Sequence, residues 1–230
     1  MKVIAINHKN KGKPHFIDIN AYHHTIYPDA SLSNYYTAQY KLCQTKIVND
    51  QLYAVAINEG ISILDRSISS LDQRRFKEKK RLYPAQQKIF QPVISIVDRP
   101  YLYRVEYWQA LRDESRSYYR DIIEPLSQFM QINRSERLWY SDTLHDLLVK
   151  ILRSHLNYMI ESVQPDSMVE NYYINIQPNI YSKTTRHMHG DRRDTHPISF
   201  DLYFTSNLYI PSLLSIGQAV SIGYGTIIEV

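Results

Sequence analysis

The chain has 230 residues, of which 43% are hydrophobic and 22% are charged, and its formal net charge is +4. This length suits one large domain or two small ones, and the composition excludes a disordered tail and a fibrous protein. No apolar run reaches the length of about 18 residues that a membrane-spanning helix needs. The modest positive charge gives a mild bias toward anionic partners.

Cysteine occurs once, at Cys43. A single thiol cannot form an internal disulfide or a zinc site that takes two thiolates from one chain, so we expect a reducing, cytoplasmic compartment. The apolar core of residues 1–8 is too short for a secretory signal. Because Cys43 lies among apolar neighbours in a predicted strand, we interpret it as a packing residue rather than a nucleophile.

The first half of the chain alternates between strand and helix patterns. Asn49-Asp50 is a favourable tight-turn pair between two strand-like runs. The predicted elements are, in order, a strand at 2–7, a short helix near 17–24, strands at 36–48 and 51–58, a helix at 61–71 that runs into a basic segment, and a strand at 89–97 ended by Asp98-Arg99-Pro100. This is the element order of a ferredoxin-like domain.

The second half is also of mixed α+β character. Its clearest element is a helix with Asp142 as N-cap and one apolar stripe that reaches Val163. His155 lies on that stripe, and we interpret it as a core histidine whose hydrogen bonds are satisfied. The other predicted elements are a helix at 101–130 that includes Trp108, strands at 171–181 and 197–208, and a last strand at 226–230. The sequence therefore predicts two α+β domains, residues 1–98 and 99–230.

Basic residues are concentrated in two places. Residues 73–81 hold six positive charges, among them Arg74 and Arg75, and a second cluster contains Arg186, Arg192 and Arg193. Tyrosine is also abundant, with 20 residues. Cations beside planar side chains suit single-stranded RNA, whose phosphates need positive charge and whose bases need stacking partners. The alternative for 73–81 is a solvated helix end.

Glycine is scarce, yet three of the six glycines fall between Gly217 and Gly225. Such spacing allows left-handed backbone and exposed N–H groups in one loop, which can lie against a phosphate chain. Neither a P-loop nor a dinucleotide fingerprint fits, because no Gly-Lys-Ser/Thr follows and the loop comes after the strands. A structural turn and an RNA-tracking loop remain equally good interpretations.

This tail resembles the C-terminal glycine-rich loop of the CRISPR-associated repeat-cleaving endoribonucleases of the RAMP superfamily. The family pattern is Gly-hydrophobic-Gly, five residues, then Gly-hydrophobic-Gly. Ser215 replaces the first glycine here, whereas Ile216-Gly217 and Gly223-Tyr224-Gly225 fit. The run from Tyr40 to Ile47, followed by Ala54 to Gly60, resembles a strand pair of one branch of the family that ends in Glu-Gly.

The resemblance implies two tandem ferredoxin-like domains with a C-terminal glycine-rich loop. It further implies cleavage of precursor CRISPR RNA within each repeat, without metal or cofactor, by attack of a 2′-hydroxyl on the adjacent phosphate to leave a 2′,3′-cyclic phosphate. The implied partners are CRISPR repeat RNA and subunits of a CRISPR effector complex, with the chain acting as a monomer or homodimer and without a membrane.

Proton transfer and charge stabilisation in this reaction need residues whose placement the resemblance suggests. The family's catalytic histidine lies near the first helix, where His23 and His24 occur with Tyr27 one turn later. Neighbouring helical residues point about 100° apart, so one histidine should face away from the site. Lys46 and Lys41 are the candidates for phosphate contact, Lys46 as part of the catalytic group.

RNA binding is assigned to the loops and the basic clusters. The candidate RNA-binding residues are Lys41, Arg74, Arg75, Arg186, His187, His189, Arg192, Arg193, Gly217, Gln218, Ser221, Gly223 and Gly225. Residues 186–196 also contain His-x-His and two aspartates, from which a metal-dependent nuclease can be built. Three interleaved arginines would repel a divalent ion, so a basic hairpin on RNA or an ordinary loop is the favoured interpretation.

Two alternatives to the repeat-cleaving enzyme stay open. The first is a catalytically inactive RAMP protein that binds and retains the processed guide RNA, suggested by Ser215 in place of glycine and by Gln218 in place of a basic residue. The second is the metal-dependent nuclease of residues 187–196.

Overall fold

The computed structural model describes residues 1–8, 13–28, 41–76, 80–110, 142–167, 169–177, 181–184, 198–217 and 219–230. The strands in these ranges are β1 (Lys2–His8), β2 (Cys43–Val48), β3 (Gln51–Ala56), β4 (Arg75–Phe76), β5 (Lys80–Ile89), β6 (Ser95–Trp108), β7 (Asn175–Ile176), β8 (Tyr181–Thr184), β9 (Ile198–Tyr209) and β10 (Thr226–Glu229). The helices are α1 (Ile19–Ile26), α2 (Gly60–Ile68) and α3 (Asp142–Val163). None of the described helices combines the length and the apolarity that crossing a bilayer requires.

The chain divides into two compact units. The first comprises Met1–Pro92 together with Ser162–Pro165 and Ala219–Gly223. The second comprises Val93–Glu161, Asp166–Gln218 and Tyr224–Val230. The predicted division between residues 98 and 99 lies inside strand β6.

The first unit contains an antiparallel sheet in the order β2-β3-β1-β5-β4. Asn49 and Asp50 both have left-handed backbone, with φ of 48° and 62°, and connect β2 to β3 in the register Val48↔Gln51. This is the twist that a two-residue hairpin turn needs, because it matches the twist of the flanking strands. With α1 and α2 after the first and third strands, the element and strand order is that of a ferredoxin-like domain, as predicted.

The core of the first unit lies beneath α1 and α2. Helix α1 buries Ile19, Tyr22 and Ile26, and α2 buries Leu64. They accompany fully buried residues of the sheet such as Leu52. Complete burial of a Leu or Ile side chain contributes about 1.5–3 kcal/mol. A few such residues therefore hold short helices that would not persist alone in water.

The second unit contains a sheet in the order β10-β6-β9-β7, with β8 also paired to β9. Strand β6 lies between β10 and β9, and all of these pairs are antiparallel. Helix α3 contributes Leu148, Leu152, Leu156 and Met159 to a core that also contains Trp108. This strand order repeats that of the first unit, so the prediction of two ferredoxin-like domains is confirmed.

The predicted helix at 101–130 is wrong where the structure describes it, because β6 runs from Ser95 through Trp108. Pro100 does not end this strand, since a register shift against β9 between Ile96 and Tyr101 leaves it in a bulge where no ladder hydrogen bond is needed. Pairing with β9, about a hundred residues later, outweighs the local helical spacing. Residues 111–130 lie outside the described residues.

The basic segment is not a helix end either. Helix α2 ends at Ile68, and β4 and β5 follow, so the fourth strand of the first sheet is 80–89 rather than the predicted 89–97. His155 fits its prediction, since it accepts a hydrogen bond of 3.1 Å at Nδ1 from the indole N–H of Trp108.

The hydroxyl of Tyr103 makes two buried hydrogen bonds that stabilise the second unit. Its fully buried hydroxyl donates to the carbonyl of Leu208 at 2.9 Å and accepts from the N–H of Ile210 at 2.8 Å. Removing the hydroxyl takes a hydrogen-bond partner from two buried backbone groups, so Tyr103→Phe should lower the free energy of unfolding by about 1–3 kcal/mol, measured by chemical denaturation.

The matched control is Tyr101→Phe, two residues earlier on the same strand. Its hydroxyl accepts only from the exposed guanidinium of Arg99 among the contacts seen here, so the change should cost less than about 0.5 kcal/mol. Equal effects of the two substitutions would contradict a structural role for the Tyr103 hydroxyl.

Candidate functional site

His23 and His24 occupy the last turn of α1 and face different surroundings. His23 is buried, and its Nδ1 lies 2.9 Å from the Oγ1 of Thr45 on β2. His24 is only half-buried, and its ring centroid is 6.2 Å from that of His23. The angle of about 100° between consecutive helical residues explains the difference. Of the two imidazoles, that of His24 is the more accessible to a ligand.

Burial determines the protonation of both histidines. Desolvation, followed by the charges of His24 and Lys46, lowers the pKa of His23 to about 3. Burial also lowers the pKa of His24, by desolvation alone. Both rings are therefore neutral at neutral pH, and a neutral imidazole can accept a proton.

Lys46 lies fully buried on β2, two positions before the end of that strand. Its ammonium nitrogen donates to the carbonyl of Val220 at 3.4 Å. Desolvation lowers the pKa of Lys46 well below its usual value. A lysine in this condition holds its proton weakly, unlike a surface lysine.

Val220 belongs to a short turn, Ala219–Gly223, that lies against β2 within the first unit. A one-turn 3₁₀ helix, Val220–Ile222, is flanked by left-handed residues, Ala219 at φ 52° and Gly223 at φ 83°. A Cβ added to Gly223 would lie 2.9 Å from the carbonyl oxygen of Thr45, which is closer than side chains approach. Glycine at 223 is thus what allows the turn to contact β2.

Tyr27 packs beside His23, and its hydroxyl group is hydrogen-bonded to the backbone of the neighbouring strands. The hydroxyl donates to the carbonyl of Val55 at 2.9 Å and lies 3.4 Å from that of Gln44. Burial raises the pKa of Tyr27 well above its usual value. Its ring centroid is 5.1 Å from that of His23. Tyr27 therefore positions His23. The hydroxyl proton of Tyr27 is donated to a strand carbonyl.

Arg74 also makes structural contacts. Its guanidinium donates to the carbonyls of Thr25 and Ile26 at 3.0 and 3.3 Å, and to the hydroxyl of Ser70 at 2.7 Å. The last carbonyls of a helix have no partner within the helix, and a cation there is favourable. Arg74 thus caps the C-terminus of α1.

Lys41 is partly exposed, and burial lowers its pKa.

The remaining loop glycines lie in the second unit. Gly217 has φ 86°, and a Cβ there would lie 2.6 Å from the carbonyl oxygen of Gln109. Gly225 has φ 64°, and a Cβ there would collide with the carbonyl oxygen of Ile216. Both glycines are required by close backbone packing. Ser221 is buried in the Val220–Ile222 turn.

The other sequence candidates fall outside the described residues. They are Arg186, His187, His189, Arg192, Arg193 and Gln218, and for Arg75 the structure describes only the backbone. The possible metal site of residues 187–196 lies there too. Within the part of the chain that is described, no group of three or more His, Cys, Asp and Glu side chains is placed to hold a metal ion.

Thr45 and Val220 were missed by reasoning from the sequence. Thr45 carried no signal, because successive strand residues point to opposite faces and Lys46 does not mark the face of Thr45. Val220 carried none, since a backbone carbonyl is not visible in residue types. The structure joins His23, Thr45, Lys46 and Val220 into one group within the first unit, with His24 beside them.

Comparison with known proteins yields solved structures only. No family model and no curated protein matches the chain. A crystal structure of the CRISPR RNA processing endoribonuclease Cas6b aligns over the whole of both chains, with a TM-score of 0.61 and 19% identity. A second Cas6b crystal structure aligns over the whole of both chains at a TM-score of 0.63 and 17% identity.

A third match is Csf5, a CRISPR-Cas type IV Cas6 crRNA endonuclease. It covers 100% of this chain and 98% of its own, with a TM-score of 0.59 and 11% identity. Identities this low report on the fold alone. The chain therefore has the fold of the Cas6 endoribonucleases, in agreement with the family resemblance of its glycine-rich loop.

The low pKa of His23 predicts a dependence of stability on pH. Because the folded pKa of about 3 lies below the unfolded value of 6.5, this group's contribution is fully present above pH 6.5 and is lost as the pH falls toward 3. Each pH unit in this window should remove about 1.4 kcal/mol. Urea denaturation at several pH values measures the slope.

His23→Gln removes the titrating group and should flatten that slope, while offering Thr45 a polar partner. His15→Gln replaces an exposed histidine and should leave the pH dependence as in the wild type. A wild-type slope in His23→Gln would contradict a buried, neutral His23.

Proposed function

We propose that this chain is a metal-independent endoribonuclease that cleaves precursor CRISPR RNA within its repeats. The observation that carries the proposal is the grouping of the α1 histidines with Lys46 beneath the Ala219–Gly223 turn. The Cas6 fold supports it, because solved structures with this fold include a CRISPR RNA processing endoribonuclease and a crRNA endonuclease.

The reaction is an internal transesterification. The 2′-oxygen bonds to the adjacent phosphorus, the bond from phosphorus to the 5′-oxygen breaks, and a 2′,3′-cyclic phosphate remains. The 2′-hydroxyl loses a proton and the 5′-oxygen gains one, so water is not consumed in this step.

His24 is the proposed general base. Its ring is the more accessible of the pair, and its lowered pKa keeps it neutral and able to accept the 2′-hydroxyl proton near neutral pH. His23 is hydrogen-bonded to Thr45 and packs on Tyr27. It is a positioning residue that fixes the last turn of α1.

Lys46 is the proposed source of positive charge at the phosphorus. Its amine holds a proton weakly in the absence of RNA, because burial disfavours the ammonium form. An arriving phosphate acts against this effect of burial, since a nearby negative charge raises the pKa of an amine. Charge would then develop where the phosphorane forms, which is where it is most effective.

RNA binding is proposed for the remaining candidates. Lys41 and the glycine-rich loop, with Gly217, Gln218, Ser221, Gly223 and Gly225, would follow the backbone. The second basic cluster, with Arg186, His187, His189, Arg192 and Arg193, would add phosphate contacts.

The test is incubation of the chain with RNA that carries the CRISPR repeat of its own genome, in excess EDTA. We expect one cut per repeat and a cyclic phosphate end. His24→Ala should reduce the cleavage rate about 10²- to 10⁴-fold, the usual contribution of a general base, and should leave RNA affinity unchanged. Full activity of this variant would overturn the assignment of the base.

A second candidate function is retention of guide RNA without cleavage. It is favoured by the complete burial of His23 and Lys46, which keeps two polar groups of the cluster away from solvent. Tight repeat binding with no product, in EDTA or in magnesium, would establish this function instead. Cleavage that requires a divalent ion and is lost in His187→Ala would indicate the metal-dependent nuclease.

Salt dependence separates the roles of two basic residues. Lys41→Gln should lower the slope of log affinity against log salt by about 1 if its ammonium meets a phosphate. Arg74→Gln should leave that slope unchanged and lower the free energy of unfolding by about 1–3 kcal/mol, because it removes the cap of α1. A flattened slope in Arg74→Gln would show that the cap also contacts RNA.

A further inference from the structure

Tyr107 adopts a backbone conformation that tyrosine rarely takes. Its φ is 52°, in the left-handed region, although it lies within strand β6. The register of β6 against β9 shifts between Val105 and Trp108, so Tyr107 lies in a β-bulge. A bulky residue in left-handed backbone is a strained outlier, and bulges often redirect a side chain beside a functional site.

Hydrogen bonds hold this conformation in place. The N–H of Tyr107 donates to Oδ1 of Asp201 at 2.7 Å. The N–H of Gly225 is shared between the carbonyls of Glu106 at 2.9 Å and Tyr107 at 3.3 Å. The next residue, Trp108, is completely buried. The bulge is therefore fixed by a carboxylate on one side and by the glycine-rich loop on the other.

The left-handed backbone at position 107 does not require a tyrosine. Glycine takes left-handed φ without strain, as it does at Gly217 and Gly225 in the same unit, and a glycine at 107 would serve the bulge equally well. The tyrosine ring is only partly buried, and it packs edge-to-face with Tyr224 at a centroid distance of 6.1 Å. The strained backbone thus presents a partly exposed aromatic ring beside the loop.

The charges around the ring favour a base over a phosphate. Among the described residues, Asp201 accepts a hydrogen bond from this bulge, and Glu106 is neutralised by Arg104 through an ion pair of 3.1 Å. The Asp201 carboxylate would repel a phosphate placed beside it, whereas an uncharged nucleobase can stack there. Stacking on tyrosine is tolerant of sequence because every base has an aromatic face.

We propose that Tyr107 is a stacking site for one unpaired base of the bound RNA, next to the glycine-rich loop. The proposal rests on the proposed function only in taking RNA as the ligand. Asp201 is the positioning residue, because it holds the bulge that presents the ring.

Three substitutions at position 107 separate the ring from the backbone. Binding of the labelled repeat RNA is measured together with thermal unfolding for Tyr107→Phe, Tyr107→Ala and Tyr107→Gly. Phe should bind as the wild type does, whereas Ala and Gly should both bind about 5- to 150-fold more weakly, the range for loss of one stacked base. Gly should unfold at a higher temperature than Ala, because it relieves the left-handed strain.

A control tyrosine and a direct readout complete the experiment. Tyr158 on α3 is 40% exposed, and Tyr158→Ala should leave RNA affinity unchanged. RNA containing 4-thiouridine, irradiated in the complex, should crosslink to the peptide that contains Tyr107. Wild-type affinity in both Tyr107→Ala and Tyr107→Gly would overturn the stacking site while leaving RNA binding intact.

Failure of the wild type to bind repeat RNA would overturn the proposed function and this site together. A loss of affinity only in those position-107 variants that also unfold at a lower temperature would assign Tyr107 a structural role and overturn the site. Asp201→Ala should weaken binding with the ring still present, and unchanged affinity in this variant would remove Asp201 from the proposal.

Discussion

The close contact between the Ala219–Gly223 turn and strand β2 is the constraint on which the candidate site depends. It is possible because Gly223 has no Cβ, which would otherwise meet the Thr45 carbonyl at 2.9 Å. Once the turn is in place, the Val220 carbonyl reaches Lys46 and the amine has little access to solvent. The low pKa values of His23 and Lys46 share this cause, since both groups are fully buried. The geometry and the electrostatics of the group thus follow from one backbone contact.

A buried neutral cluster suits a reaction in which charge develops on the substrate. Two unit charges about 4 Å apart interact by roughly 4 kcal/mol at an effective dielectric constant of 20. A phosphate beside Lys46 would therefore oppose the lowering of its pKa by burial. A surface lysine would be charged throughout and would offer the transition state less advantage over the bound substrate.

The sequence predicts the first unit better than the second, because its signals are local. Asn49-Asp50 marks the β2–β3 turn by residue type, and the turn has the left-handed backbone that such a pair adopts. The region 101–108 shows apolar spacing that suits a helix, but its conformation is decided by β9, which is far away in sequence. No local pattern reports such a partner.

The same distinction applies to the site. The histidine pair is evident from the sequence, and the angle between successive helical residues accounts for one buried and one half-buried ring. The charged neighbourhood of Arg74 predicts RNA binding, and in the fold this residue also caps the helix that ends 48 residues earlier at Ile26. A run of like charges cannot reveal which member has found a carbonyl partner in the fold. The contact between Lys46 and the carbonyl of Val220 cannot be predicted from the sequence for the same reason, because the two residues are 174 positions apart.

The positions of the loop glycines are explained by the close backbone neighbours that a Cβ atom would strike, more than by positive φ alone. Gly217, Gly223 and Gly225 each combine a positive φ with a neighbour that a Cβ would strike. Ala219 and Tyr107 share the positive φ but carry side chains, so φ by itself does not demand glycine at every such position. Ser215, which stands where the family pattern has its first glycine, is not among the described residues with positive φ. It forms a β-bridge with Thr226, and its hydroxyl lies 3.3 Å from that of Thr226. The departure from the pattern at Ser215 is therefore one that this backbone accommodates, and it does not weaken the assignment of the fold.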